Sequence, residues 1–352
     1  MLVANYALAY KDISIVPRHV SNIASRTTLK NNNATLVEFA GQKLQIPIIA
    51  APMPDVCDGK MASHLVMGGS YGFIHRFMTP EEQVNEFNSC KCLAIEKIEG
   101  LYTILGDHSC GCAVGINEED YLLRVEKLMR ADCASFCIDI ANGANSRIEK
   151  VIENIDKAKW LHSQHKKIYI TVGNVASAQC FEYLAKIPEV YAIRVGIAGG
   201  SVCTTRTETG IYHPMASLIH ECAEVNKKYN KILIADGSIK EPQDMCKALA
   251  LGANLCMAGS MFASCEESPA KTIRVDGKLC KLFRGAASFS TQQDFGKKPE
   301  YVEGRESLIG YTGSVSKILK RYQNGLLSSM SYLNAHNLEE YTQNASFVRV
   351  NT

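Results

Sequence analysis

The chain has 352 residues, of which 46% are hydrophobic and 21% charged, the balance of an ordinary globular protein. Its formal net charge is +2, and it has no basic run or basic–aromatic stripe, which argues against a nucleic-acid polymer as partner. No apolar run reaches the roughly 20 residues that span a membrane, and the first residues lack the pattern of a signal peptide. We therefore expect a cytoplasmic protein with no membrane partner.

The chain contains 14 cysteines, which in a reducing compartment are expected to be free and mostly buried thiols. Cys90 and Cys92, like Cys110 and Cys112, are spaced too closely for the usual zinc-binding pair, and no matching Cys/His pair follows them. We therefore do not expect a zinc site, and a reactive cysteine has to be recognised from its sequence context.

Short apolar segments rich in Ile, Val and Ala alternate with amphipathic segments along the chain, which is typical of a parallel sheet covered on both faces. The predicted strands are Ile46–Ala51, Tyr71–Ile74, Cys112–Ile116, Ser135–Ile140, Ile168–Val172, Tyr191–Val195, Ile232–Ala235 and Leu255–Ala258. The clearest predicted helices are Glu119–Met129, Asn145–His162, Ala176–Lys186 and Pro242–Leu251. Because this alternation occurs eight times without a linker, we predict a single (β/α)8 TIM-barrel domain over residues 1–352.

Polar and glycine-rich segments follow the last five predicted strands. These segments are Asp139–Gly143, Gly173-Asn174, Gly196–Arg206, Asp236–Ser238 and Gly259-Ser260. In a barrel they lie on the carboxyl face, where active sites are built. Each segment taken alone has a simpler interpretation, because Gly, Asn and Asp also make turns and helix N-caps.

The segment Gly196–Arg206 carries the most chemistry. Its Gly199-Gly200-Ser201 stretch can present backbone N–H groups and a hydroxyl to a phosphate, and Gly259-Ser260 can supply a second set. Cys203 lies two residues beyond Ser201, among polar groups that favour a nucleophilic thiol, and the hydroxyl of Thr205 can relay a proton. Asp236 is placed at a strand end where acids bind ribose hydroxyls.

An ordered set of motifs around this segment resembles the IMP dehydrogenase/GMP reductase family over nearly the whole chain. The motifs are Tyr10–Pro17, Ile48–Met53, Gly72–Arg76, Gly173–Ala176, Gly196–Arg206, Ala235–Ser238, Met257–Ser260 and Phe283–Ser288. The resemblance implies that a cysteine attacks C2 of the purine of a nucleoside monophosphate, GMP or IMP, and that a nicotinamide cofactor exchanges hydride with that carbon.

The resemblance also implies roles for individual residues. Cys203 and Thr205 are the implied catalytic residues. The implied substrate-binding residues are Ser201, Asp236, Gly237, Ser238, Gly259, Ser260, Gly285, Ala286, Ala287, Glu300, Glu303 and Gly304. The implied cofactor-binding residues are Arg76, Asp139, Ile140, Ala141 and Asn142. A monovalent cation, K+ in this family, is implied at Ala198, Gly200, Cys203 and Arg206, and a homotetramer is the typical assembly.

Two features favour the reductase branch over the dehydrogenase branch. Only 37 residues separate Ile74 from Cys112, so the inserted regulatory pair of the cystathionine-β-synthase type is absent. The segment between Ser288 and Gly304 is short and lacks the Arg-Tyr pair that activates water in the dehydrogenases. We therefore expect a GMP reductase-like enzyme that converts GMP to IMP and ammonia with NADPH.

Other features keep two alternatives open. The segments Glu266–Pro269 and Pro299–Arg305 are similar to bacterial IMP dehydrogenases, which use NAD. The catalytic glutamate of the reductases aligns at or near Phe289, which cannot transfer protons, with Glu300 or Glu303 as substitutes. The alternatives are therefore an IMP dehydrogenase, or a nucleotide-binding relative with little catalysis.

Overall fold

The computed structural model describes residues 7–96, 110–162, 167–294 and 302–350. Eight strands pair in parallel and close into a barrel in which each strand lies beside the next one in the chain and the last lies beside the first, which confirms the predicted TIM barrel. The barrel strands are β1 Ile48–Ala50, β2 Tyr71–Ile74, β3 Gly111–Val114, β4 Ser135–Asp139, β5 Tyr169–Val175, β6 Val190–Val195, β7 Ile232–Asp236 and β8 Leu255–Ala258.

One long helix follows each strand and covers the outside of the barrel. These helices are α1 Gly59–Met67, α2 Pro80–Glu96, α3 Glu118–Arg130, α4 Ile148–His162, α5 Ala178–Ala185, α6 Met215–Asn226, α7 Pro242–Ala250 and α8 Val315–Tyr332. Several begin at polar caps: Asp58 accepts from the N–H of Met61 at 2.8 Å, and Ser177 accepts from Cys180 at 3.1 Å. The connection from β2 to β3 spans residues 75–110, including α2, which is too few for an inserted regulatory domain.

All eight predicted strands exist, with ends that differ by a few residues. The predicted helix at 145–162 begins three residues later, at Ile148, because residues 145–147 form a turn in which Asn145 accepts from the N–H of Arg147. The strands outside the barrel were not predicted from the sequence, because most of them are only three to five residues long and some pair with segments distant in sequence. Ile13–Val16 pairs with Ser346–Arg349, for example, and joins the two ends of the described chain.

A short hairpin plugs the amino end of the barrel. Its strands are Val37–Phe39 and Gln42–Leu44. The Phe39 ring makes edge contacts with Tyr71 at 5.2 Å and Phe73 at 6.2 Å, both on β2, and lies 5.7 Å from the ring of Tyr191 near the start of β6. Since aromatic side chains fill this end, the carboxyl end of the barrel is the end that the described residues leave open to a ligand.

A three-stranded antiparallel sheet, here called the outer sheet, stands over the carboxyl end beside β8. It consists of Thr272–Val275, Lys278–Arg284 and Glu306–Gly310. Phe283 is buried on its inner face, and Arg284 donates to the buried carboxylate of Asp55 through its backbone N–H and guanidinium. The outer sheet therefore places residues 285–288 and 302–305 at the rim of the barrel.

None of the helices in the described ranges combines the length and the apolar character needed to cross a membrane.

Gly173 on β5 offers a test of how closely the strands pack. A methyl group at this position would lie 2.4 Å from Cβ of Arg194 on β6, a distance that side chains do not tolerate. Gly173→Ala is expected to lower the free energy of unfolding by about 1–3 kcal/mol, the usual cost of overpacking. Denaturant unfolding followed by circular dichroism measures the change.

The matched control is Gly310→Ala on the outer sheet, where an added methyl group meets no atom within 4 Å. Equal unfolding midpoints for the two variants would contradict the close packing of Gly173 against Arg194.

Candidate active site

The carboxyl end of the barrel opens into a cleft of about 880 Å³. Most residues that the sequence analysis assigned to a site line this cleft. They are Arg76, Asp139, Ile140, Ala141, Asn142, Ala198, Gly200, Ser201, Cys203, Thr205, Asp236, Gly237, Ser238, Gly259, Ser260, Gly285, Ala286, Ala287 and Glu303. Its volume is that of a typical ligand site, and it has room for a nucleotide beside a second group.

A chain of hydrogen bonds leads from the cysteine to a carboxylate. The Cys203 thiol donates to Oγ1 of Thr205 at 3.2 Å, and the Thr205 hydroxyl donates to Oε2 of Glu303 at 2.7 Å. Cys203, Thr205 and Glu303 all line the cleft, and each of them is hydrogen-bonded to the next. The arrangement can therefore take a proton from the thiol and hold it on the carboxylate.

The segment that carries Glu303 is held against the cysteine loop by its backbone. Thr204 donates its N–H to the carbonyl of Glu303 at 3.1 Å, and Arg305 donates its N–H to Val202 at 2.9 Å. Gly304 does not line the cleft but forms a bridge with Cys203 in this pairing. The carboxylate of Glu303 is thus placed by main-chain hydrogen bonds between distant parts of the chain.

This pairing corrects the expected position of the glutamate. Phe289 begins the short helix Phe289–Asp294 with its side chain 55% exposed, and it does not line the cleft. The glutamate that contacts Thr205 is Glu303 instead. Glu300, the other substitute, lies outside the described residues.

A buried arginine that was not predicted from the sequence joins two of the carboxylates that line the cleft, Asp139 and Asp236. Arg194 donates through Nη1 to Asp139 at 2.6 Å and through Nη2 to Asp236 at 2.8 Å. Burial acts to lower the pKa of Arg194, but Cys137, Asp236 and Asp139 raise it well above its usual value, so the guanidinium stays charged. One signal could have revealed it: β6 reads Val-Tyr-Ala-Ile-Arg-Val, a strand with a single charged residue.

The loops after β6 and β7 are hydrogen-bonded to each other at the place where the sequence predicts phosphate binding. Ser238 donates to the carbonyl of Gly199 through its backbone N–H at 3.0 Å and through its hydroxyl at 3.1 Å. The Oγ of Ser201 is buried without a hydrogen-bond partner in the described part of the chain, and Ser201 lines the cleft. A buried hydroxyl without a partner is costly unless a ligand satisfies it. These residues therefore fit an anionic group.

Three of the four residues predicted to bind a monovalent cation line the cleft. Ala198, Gly200 and Cys203 line the cleft, and the carbonyl of Gly200 accepts from the N–H of Cys203 at 3.2 Å. Arg206 does not line the cleft: its guanidinium lies 4.3 Å from the centre of the Tyr212 ring, and its carbonyl accepts from Gly210. Monovalent cation binding by this loop, including the carbonyl of Arg206, stays a prediction.

Cys203 differs from the other thiols near the barrel axis. Cys137 is fully buried beside Arg194, and burial raises its pKa to about 12, so it stays protonated at neutral pH. Cys203 is half-buried, lines the cleft and donates to a hydroxyl that is itself held by a carboxylate. Among these two thiols, only Cys203 is placed to attack a bound molecule.

Comparison with known proteins agrees with this site. Residues 7–352 match the model of the IMP dehydrogenase / GMP reductase domain. The chain belongs to this family. Its members are oxidoreductases that act on purine nucleoside monophosphates with a nicotinamide cofactor.

Relatives in this family carry both reaction names at similar identity. A GMP reductase of Shewanella pealeana is 30% identical, across 97% of this chain and 94% of the relative. An IMP dehydrogenase of Nitrosopumilus maritimus is 26% identical, across 97% and 95%. An IMP dehydrogenase of Cryptosporidium parvum is 29% identical, across 98% and 92%. Because these identities are so close, the two reactions have to be distinguished by the chemistry of the site.

Proposed function

We propose that the protein is a GMP reductase-like enzyme that converts GMP to IMP and ammonia with NADPH. The observation that carries this proposal is the hydrogen-bonded chain from the thiol of Cys203 through Thr205 to Glu303. It places a proton donor and a nucleophile side by side in one cleft. A reaction that expels an amine needs both groups.

The first step follows from this geometry. Cys203 gives its proton through the Thr205 hydroxyl to Glu303, and the sulfur forms a bond to C2 of the purine. The protonated carboxyl of Glu303 then returns the proton through Thr205 to the 2-amino group. The C2–N bond breaks and ammonia leaves, so the proton removed from the nucleophile is the one that the leaving group requires.

The second step restores the thiolate, which takes up a proton from solvent before the next turnover. When bound, NADPH supplies a hydride to C2, and the C2–S bond then breaks to release IMP and Cys203. Asp139, Asn142 and Arg76 line the side of the cleft where the cofactor is expected, and Ser201, Ser238 and Ser260 line the side expected to hold the phosphate. Asp236 is assigned to the ribose hydroxyls of the nucleotide.

The absence of an Arg-Tyr pair between Ser288 and Gly304 supports the reductase over the dehydrogenase. A dehydrogenase has to hydrolyse the covalent adduct, and without a base for water this step is slow. K+ binding by the cysteine loop and assembly into a homotetramer are further proposals that rest on the family.

The two reactions are distinguished by absorbance at 340 nm. Purified protein is incubated with GMP and NADPH, and separately with IMP and NAD. A loss of absorbance in the first mixture alone is the expected result. A gain of absorbance in the second mixture alone would identify a dehydrogenase. If the absorbance changed in neither mixture but the protein bound a nucleotide, it would be a binding protein.

The role of Glu303 is tested by Glu303→Gln. The amide keeps the size of the side chain but cannot hold the proton of the thiol, so kcat for GMP reduction is expected to fall by about 10²–10⁴-fold. Phe289→Ala is the control, and since this exposed residue lies outside the cleft, kcat should stay within about twofold. If Phe289→Ala impaired turnover more than Glu303→Gln did, the assignment of the glutamate would be wrong.

The nucleophile is tested by Cys203→Ala. This variant is expected to lose turnover while it retains GMP affinity in calorimetry, because the thiol takes part in bond formation and the phosphate and ribose contacts remain. Cys280→Ala, which removes a half-buried thiol from the outer sheet, should keep full activity. Turnover by Cys203→Ala would show that another group attacks the purine.

A further inference from the structure

One buried side chain, that of Arg194, is hydrogen-bonded to carboxylates on both sides of the cleft, Asp139 and Asp236. Arg194, with 5% of its surface exposed, donates through Nη1 to Oδ1 of Asp139 at the end of β4. It donates through Nε and Nη2 to Oδ2 of Asp236 at the end of β7, at 3.1 and 2.8 Å. The guanidinium thus spans carboxylates that the barrel places on opposite sides of β5 and β6.

The strand between Asp139 and Arg194 is shaped to allow this bridge. A Cβ on Gly173 of β5 would lie 2.4 Å from Cβ of Arg194, so only glycine leaves room there. The next residue, Asn174, donates to Oδ2 of Asp236 at 2.7 Å and to the carbonyl of Gly196 at 2.7 Å. The bridge is therefore enclosed by β5 as well as by β4 and β7.

The hydrogen bonds to Asp236 are concentrated on one of its two carboxylate oxygens. In the described part of the chain, Asn174 and both donors of Arg194 reach the same oxygen, Oδ2. Oδ1 is then the oxygen left to meet a ligand in the cleft, and its direction is set by the donors on Oδ2. A rotation of the guanidinium would turn this carboxylate and would also move Nη1 away from Asp139.

We propose that Arg194 is a positioning residue that couples nucleotide binding to cofactor binding. The proposal rests on the proposed function, in which Asp236 holds the ribose of the nucleotide and Asp139 faces the cofactor. The guanidinium is a rigid planar fork, so its donors cannot adjust to the two carboxylates separately. A ligand that fixes one carboxylate fixes the arginine, and the second ligand then finds the other carboxylate already oriented.

This coupling has a thermodynamic signature. If GMP increases the affinity for NADPH by some factor, NADPH must increase the affinity for GMP by the same factor. An arginine that only stabilised the fold would leave this factor unchanged, even if its removal weakened both affinities. The factor is therefore the quantity that distinguishes a positioning role from a structural one.

The experiment uses the full chain with Cys203→Ala as parent, so that no turnover occurs. Calorimetry gives the dissociation constant of GMP without NADPH and with saturating NADPH, and the ratio of the two constants is the coupling factor. We expect a factor of about five or more in the parent. In Arg194→Lys the factor should fall to about one, because a single ammonium cannot hold both carboxylates.

Arg76→Lys is the matched control. Arg76 lies 3.7 Å from Asp139 through Nε, but the structure gives it no contact with Asp236 among the described residues. This variant is expected to weaken NADPH binding and to keep the coupling factor of the parent. A change of equal size in Arg76→Lys and Arg194→Lys would overturn the proposal, because the bridge would then have no special role.

Three further outcomes also decide the question. Coupling of parental size in Arg194→Lys, or a parent that binds both ligands without coupling, would overturn the role of Arg194 and leave the proposed function intact. A parent that binds neither GMP nor IMP would overturn the proposed function itself. If circular dichroism shows that Arg194→Lys does not fold, Asp139→Asn is measured instead, and it should also lose coupling because Nη1 loses its charged partner.

Discussion

Closure of eight parallel strands into a barrel is the constraint on which the rest of the structure depends. Because all strands run in the same direction, every carboxyl end reaches one rim, and the loops that follow them converge there. The hairpin at Val37–Leu44 fills the opposite end with Phe39 and its aromatic neighbours. The main cleft therefore lies at the carboxyl rim, and segments from Arg76 to Glu303 meet in it.

Within the cleft, the strand ends and the outer sheet supply different parts of the chemistry. The strand ends provide a rigid polar floor in which Asp139, Arg194 and Asp236 are bridged. The outer sheet returns the chain to the rim and places Glu303 on Thr205 by main-chain hydrogen bonds. Cys203, the proposed nucleophile, lies in the loop after β6, and Glu303, its proposed proton acceptor, lies in the segment that enters the outer sheet, so their connection through Thr205 depends on the outer sheet.

Much of the fold and the cleft could be predicted from the sequence, because the signals for them are local. The apolar runs with polar segments after them located the barrel strands and the rim, and the Ser201–Arg206 string located the cysteine. The position of the glutamate could not be found in this way. Alignment along the chain led to Phe289 and left Glu300 and Glu303 as undecided substitutes, because Glu303 reaches Thr205 through a pairing between segments about one hundred residues apart. Arg194 was missed for a similar reason, since its two partners lie on β4 and β7.

The sequence by itself determined the elements of this protein, because the periodicity of apolar residues and the composition of turns act over a few residues at a time. It also determined which side chains could be reactive, since a thiol, a hydroxyl and a carboxylate are evident in any order. Only the tertiary structure decided which of these groups touch. The proposed proton transfer from Cys203 to Glu303, and the bridge from Asp139 through Arg194 to Asp236, require contacts of about 3 Å, and barrel closure and strand pairing bring these residues within that distance.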